Sequence, residues 1–265
     1  MPWTFAHPAA ILPLRRYCPR RLHFPALVIG SLTPDFGYYL RWLDLSRLAH
    51  HFPDGLAVCV LSGLLLLALF YALRAPLCQL LPQPHRGALL ARIEAGRPWS
   101  MAVMFSIVAS LALGAVTHMA WDGLTHKGGW IVTQVLALQE PLFRLWGTGI
   151  PAYQLLQQLS TLAGAVALAW VYVGWLRRQH PWLPLRAIIV NRAREERWRY
   201  VLSGGIAVAA MLGAALAATQ AASAWPGRFR IDVFVFRAAV DFMLAFALLF
   251  SLSAVICHVR RRVQR

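Results

Sequence analysis

The sequence predicts an all-α, polytopic membrane protein, with about five transmembrane helices and short N-terminal helices packed on or re-entering the bundle. Three observations predict it. First, 59% of the 265 residues are hydrophobic and 14% are charged, with a mean hydropathy of +0.55. Soluble domains sit at roughly 45–50% apolar and about 25% charged, so disorder, a coiled coil and an ordinary soluble globule are excluded. Second, five runs reach the roughly 20 mostly apolar residues that a helical span needs. Third, the 26 Lys+Arg against 10 Asp+Glu are nearly all Arg, with Lys127 the one lysine, and they lie almost entirely between the runs. There they meet anionic headgroups. The net charge of +16 therefore reads as anchoring to membrane lipids, and no nucleic-acid partner is expected.

The first 54 residues differ from the rest. LHFPALVIGSLTPDFGYYLRW is about span length, but Pro25, Pro34 and Asp35 interrupt it. Irregular backbone at membrane depth is tolerated only when buried in protein or lining a wet cavity. Short packed helices are expected here, with a sixth span as the alternative. The start, MPWTFAHPAA, lacks the basic and long apolar regions of a cleavable signal peptide, so insertion is expected to use internal spans. The five runs are about Gly55–Ala75, Ser100–Trp121, Ile150–Trp175, Tyr200–Ser223 and Val233–Cys257. Residues 1–148 form a metal-site module and 149–265 a three-helix membrane segment, the two read as one integrated domain. In the fourth run Gly205, Ala209, Gly213, Ala217 and Ala221 recur every four residues, a stripe suited to close helix packing. Trp121, Trp130 and Trp146 mark an interface. Cys18, Cys59, Cys78 and Cys257 form no C-x-x-C pair and suggest neither a zinc knuckle nor a disulfide framework.

Five spans put alternate loops on opposite sides. The side with the 74–99 loop, the 177–199 loop and the C-terminal tail holds 15 Lys+Arg, and the other side holds 10. The positive-inside rule then places the C-terminus in the cytoplasm and the N-terminal segment outside. The expected location is a bacterial cytoplasmic membrane. His7, His23, His50, His51, His118 and His126, with Asp35 and Asp122, all fall on the N-terminal side.

The centre of that group is His118-x3-Asp122-x3-His126. Spacing of four puts side chains on neighbouring turns of one helix face. Imidazole and carboxylate together suit zinc or a similar divalent metal, as one ion or as two bridged by the carboxylate. The bland alternative is a set of interfacial polar residues at a span end. Asp35 lies in an apolar segment, where a lone carboxylate is costly and needs a cation, a metal or a proton. Adjacent His50 and His51 point about 100° apart on a helix, so at most one faces the group. In the last span Arg237 and Asp241 are four apart and read as a self-neutralising pair. Gln154, Gln157 and Gln158 open the third span and are suited to hydrogen bonds across helices.

The pieces MPWTFAHPAAILPL, VIGSLTPDFGYYLR, LAHHFPDGL and GAVTHMAWDGLTHKGGW resemble the signature blocks of an uncharacterised bacterial membrane family. That family resembles, in turn, inner-membrane proteins classed as membrane-bound metal-dependent hydrolases. More remotely, the order of ligands is similar to that of zinc-dependent phospholipase C. The resemblance covers roughly residues 1–130 and implies metal ligation by His7, Asp35, His50, His118 and Asp122, with His126 as an addition. It implies that Asp35 or Asp122 bridges metals or orients an attacking water. The phospholipases carry a further His-x3-Glu, whereas Glu140 here has no His four residues before it, so one or two ions are expected. The expected function is a membrane-bound, metal-dependent hydrolase acting on a phosphoester or lipid-linked substrate at the extracytoplasmic surface. A structural metal site without turnover, or an ion or metal transporter, are the alternatives.

Overall fold

A computed structural model describes residues 4–18, 20–94, 100–145, 148–184 and 194–264. Trp146, one of the expected interfacial tryptophans, lies outside them. The chain opens with two 3-10 turns, Thr4–Ala9 and Leu12–Tyr17, then α1 (Phe24–Gly30), a 3-10 turn Thr33–Asp35, α2 (Phe36–Tyr39) and α3 (Leu43–Ala49). Next come α4 (Gly55–Leu80), α5 (His85–Glu94), α6 (Met101–Thr125), α7 (Trp130–Gln134) and α8 (Leu136–Gln139). Strands β1 (Pro141–Leu145) and β2 (Thr148–Pro151) pair antiparallel. α9 (Ala152–Gln179), α10 (Arg197–Ser223) and α11 (Gly227–Val263) complete the chain.

Five of these helices, α4, α6, α9, α10 and α11, are long and apolar enough to cross a membrane. They coincide with the five predicted runs. Among the described residues no sixth span forms, because the N-terminal segment breaks into helices of seven residues or fewer. Its prolines act as helix starts. Pro25 sits in the first turn of α1, and Pro34 opens the Thr33–Asp35 turn. At those positions the missing N–H would have no intrahelical partner in any case. Among the described residues, the β1–β2 hairpin is the one departure from an all-helical chain. Proline at Pro141 and Pro151 bounds it, where a helix could not continue.

The chain divides into two compact units, Met1–Ala68 with Pro98–Tyr172, and Leu69–Arg97 with Val173–Arg265. In the first unit α1 lies directly on α6. A Cβ at Gly30 would sit 2.3 Å from the Leu111 carbonyl oxygen, and one at Gly114 would sit 2.4 Å from the Leu27 carbonyl oxygen. No side chain fits at that crossing, so both glycines are required for backbone to meet backbone. Ile107, Leu111 and Ala115 of α6 and Ala26 and Leu27 of α1 are buried around it.

In the second unit α10 and α11 fold back on each other through a short turn at Gly227, whose φ of +55° suits glycine. The buried stripe of α10 is Ile206, Ala210, Ala214, Ala218 and Ala222. This corrects the sequence expectation by one position: Gly205, Ala209 and Gly213 are exposed. Small residues occupy two parallel rows here, one residue apart, and periodicity alone does not choose between them. Buried Glu196 anchors the start of α10. Its carboxylate accepts from Arg86 and from Arg199, each at 2.9 Å. In α11 Arg237 and Asp241 pair at 3.4 Å.

Candidate metal centre

Four segments of the first unit bring chemistry to one place. The Thr4–Ala9 turn has about three residues per turn, so Thr4 and His7 share its inner face. Both are buried. The turn after α1 delivers Asp35, which is 2% exposed. The C-terminal end of α3 delivers His50, held there by backbone hydrogen bonds from its N–H to the last carbonyls of α3. The last turns of α6 deliver His118, fully buried, then Asp122. His126 follows as the helix ends, its N–H donating to the Asp122 carbonyl.

One ligand atom from each of Asp35, His50, His118 and Asp122 lies within 4.8 Å of the others. His118 Nε2 is 3.3 Å from Asp122 Oδ2 and 3.7 Å from Asp35 Oδ1. His50 Nε2 is 3.5 Å from Asp122 Oδ2 and 3.6 Å from Asp35 Oδ1. The second oxygen of Asp122 faces a different pair: Oδ1 is 3.3 Å from His126 Nδ1 and 3.6 Å from His7 Nε2. Asp122 therefore stands between two sets of nitrogens, with one oxygen for each. Hydrogen bonds run to about 3.2 Å, and these separations are longer. Donors bound tetrahedrally at zinc-like distances lie about 3.3 Å apart. The spacing leaves room for an ion among the donors.

The partners of these groups agree with that spacing. His118 Nδ1 lies 2.8 Å from the Ser31 carbonyl, and His50 Nδ1 lies 2.8 Å from the Ser46 carbonyl. A carbonyl can only accept, so both Nδ1 atoms carry a proton and donate it. In the neutral tautomers each Nε2 is then a free donor atom aimed at the carboxylates, the arrangement typical of metal-binding histidine. Thr4 Oγ1 donates to Asp35 Oδ2 at 2.6 Å and leaves Oδ1 for the centre. Both nitrogens of His7, Nε2 of His118 and Oδ1 of Asp122 are buried with no hydrogen-bond partner among the described residues. Such groups are costly to bury unsatisfied; a cation among Asp35, His50, His118 and Asp122 would satisfy His118 Nε2, and a cation on the other side of Asp122 would satisfy its Oδ1 and His7 Nε2. The residues thus fit a metal ion.

Electrostatics point the same way. Burial, with His118 beside it, lowers the pKa of His7 to about 4, so His7 is neutral and able to ligate. Its ring stacks on His118 at 3.8 Å between centroids, and two imidazolium rings would repel there. Burial works against charge on His50, but the Asp122 and Asp35 carboxylates outweigh it and hold its pKa up at about 11. Burial also works against the Asp35 carboxylate, yet His118, His50 and Thr4 keep it below its usual range. In the metal-free centre, His50 therefore offsets charge on the acids.

His7, Asp35, His50, His118, Asp122 and His126 are thus brought together. His51 and His23 are not. His51 is exposed, and His23 caps α1 by accepting the Ala26 N–H. Sequence reasoning did not find the orienting groups: Thr4 and the carbonyls of Ser31 and Ser46. Gln157 of α9 was noted only as polar, and it meets His126 Nε2 at 3.0 Å. With its amide nitrogen there, Gln157 donates and His126 carries its proton on Nδ1, facing Asp122. With the amide reversed, Nδ1 is a free donor atom for a metal.

Fold and centre together define a multi-pass helical membrane protein whose buried Asp–His group could bind a metal ion. The chain belongs to the DUF4184 family, a domain of unknown function whose model matches residues 1–256. It matches no curated protein and no solved structure.

Proposed function

We propose that this protein is a membrane-bound, zinc-dependent hydrolase of phosphoesters, working at the extracytoplasmic surface of a bacterial inner membrane. One observation carries the reading: each oxygen of Asp122 faces its own pair of imidazole nitrogens at 3.3–3.6 Å. This supports a centre of one or two ions with Asp122 as the bridge. Asp35, His50 and His118 complete one half, and His7 and His126 the other. Mixed nitrogen and oxygen donors suit zinc. A zinc ion supplies Lewis acidity and acidifies the water that it coordinates.

The chain's own residues supply the rest. Thr4 and the Ser31 and Ser46 carbonyls hold Asp35, His118 and His50 in their ligating orientations. Asp35 and Asp122 are the acids within reach of an attacking water and can orient it or take its proton. Partial exposure favours turnover over a purely structural metal. The side chains of His50 and His126 are 24% and 28% exposed, and Asp122 is 14% exposed. A structural ion has a closed shell, whereas a catalytic one keeps a position open. Transport is less well supported, since the intramembrane charges Arg237 and Asp241 neutralise each other.

The test is turnover of a water-soluble phosphodiester by the purified protein. Chelation should abolish it, added zinc should restore it, and Asp122→Asn should lower kcat by at least about a hundred-fold, beyond the loss typical of an outer partner. Turnover indifferent to chelator and to Asp122→Asn would overturn the proposal.

A further inference from the structure

Beside His7 a groove of about 290 Å³ opens between the Thr4–Ala9 turn, the end of α6 and the middle of α9. Its walls are small: Ala9 on the turn, and Ser160, Gly164 and Ala167 on α9, with Trp121 of α6 at one side. Gly164 lets the turn come close, since a Cβ there would sit 3.0 Å from the Ala6 carbonyl oxygen. Ser160 accepts a hydrogen bond from Trp121 Nε1 at 3.2 Å, which ties that side of the groove together. From Ser160 to Ala167 the groove follows roughly 10 Å of helix axis.

The occupant follows from where this notch lies. α9 is one of the helices able to span a membrane. Leu159, Leu162 and Val166, on other faces of the same helix, are 54%, 64% and 58% exposed. Bulky residues turned outward on a spanning helix face hydrocarbon. The notch on this helix is walled mostly by Ala and Gly and offers few of the polar partners that a water needs. Hydrocarbon fills it at no such cost. The notch is also lined by His7, whose Nε2 is 3.6 Å from Asp122 Oδ1. A chain lying in the groove would bring its polar head to the centre.

We propose that this groove seats one hydrocarbon chain of a membrane lipid, so that the substrate is an amphiphile drawn sideways from the bilayer with its phosphoester at the His7 side of the centre. The proposal rests on the hydrolase reading above for the word substrate, and on the groove alone for the chain. The chain subsite explains why α9, which contributes no acid or imidazole to the centre, closes against the turn that carries His7.

The test is photolabelling in vesicles of phosphatidylethanolamine and phosphatidylglycerol, using a phospholipid with a diazirine near the head end of its acyl chain. Label, mapped to single residues, is expected on the groove-lining Ala6, Ala9, Ala10, Ser160, Gly164 and Ala167. Ala167→Leu should lower it there roughly ten-fold, the effect of excluding about two methylenes, with zinc content unchanged. Label spread over the outward residues Leu159, Leu162 and Val166, and indifferent to Ala167→Leu, would overturn the chain subsite. Turnover of a water-soluble phosphodiester is measured in parallel. Groove label without turnover would support the subsite and count against the hydrolase reading. Turnover without groove label would do the reverse.

Discussion

Two backbone carbonyls decide what His118 and His50 can do. Ser31 and Ser46 each accept an Nδ1 proton and so direct Nε2 at Asp35 and Asp122. These partners were invisible in the sequence, because a carbonyl belongs to every residue and only the fold selects one. The candidate ligands were legible as a group. His118, Asp122 and His126 share a face by their spacing of four along α6, and topology put the N-terminal His and Asp on the same side. Charge adds a consequence. The pKa of His50 is held up at about 11 in the metal-free protein, above the ordinary histidine value. Its ion pairing thus stabilises the metal-free fold fully below about pH 6.5 and is lost as pH rises through about 11. A metal held by His50 would have to displace that proton. Calorimetric titration of zinc at pH 7–8, in two buffers of different ionisation enthalpy, should show at least one proton released as the ion held by His50 binds, and tighter binding at higher pH. Binding with no proton release would show that His50 is not a ligand.

At the scale of elements, the crossing of α1 on α6 positions the centre. Gly30 and Gly114 allow it, and the same approach lays the Ser31 carbonyl on His118. Gly114→Ala places a methyl 2.4 Å from the Leu27 carbonyl oxygen, so the helices must separate. The expected cost is about 1–3 kcal/mol, read as a lower Tm in detergent together with reduced zinc content. An unchanged Tm and full zinc would mean that the crossing is not what orients His118. The five long helices were readable, since apolar runs of span length leave little choice of structure; α5, α7 and α8, in the loops between them, were not. Helix faces were less readable. On α10 the small residues occur in pairs such as Ala209–Ala210 and Gly213–Ala214, and only contact with α11 selects Ala210 and Ala214 for burial. The β1–β2 hairpin escaped notice because it lies in a loop whose prolines signal an interruption without saying what fills it.

At the scale of the molecule, scarcity of charge made both the membrane fold and the candidate site legible. A chain with 10 acids that buries Asp35 and brings Asp122 to the same imidazoles concentrates its few polar groups where they meet. Glu196 in the other unit is the contrasting case. It too is buried, but Arg86 and Arg199 hold it at 2.9 Å, the length of a charge-assisted hydrogen bond. In the Asp–His centre the separations are 3.3–3.7 Å. That spacing, around one shared point, leaves room for a cation among the donors. The most direct measurement is the metal content of the purified full-length protein, compared with His118→Ala and Asp122→Ala at equal helical circular dichroism. We expect one or two equivalents of zinc in the wild type and loss of most of it in both variants. A wild type without bound metal, or zinc retained when both residues are replaced together, would contradict the account.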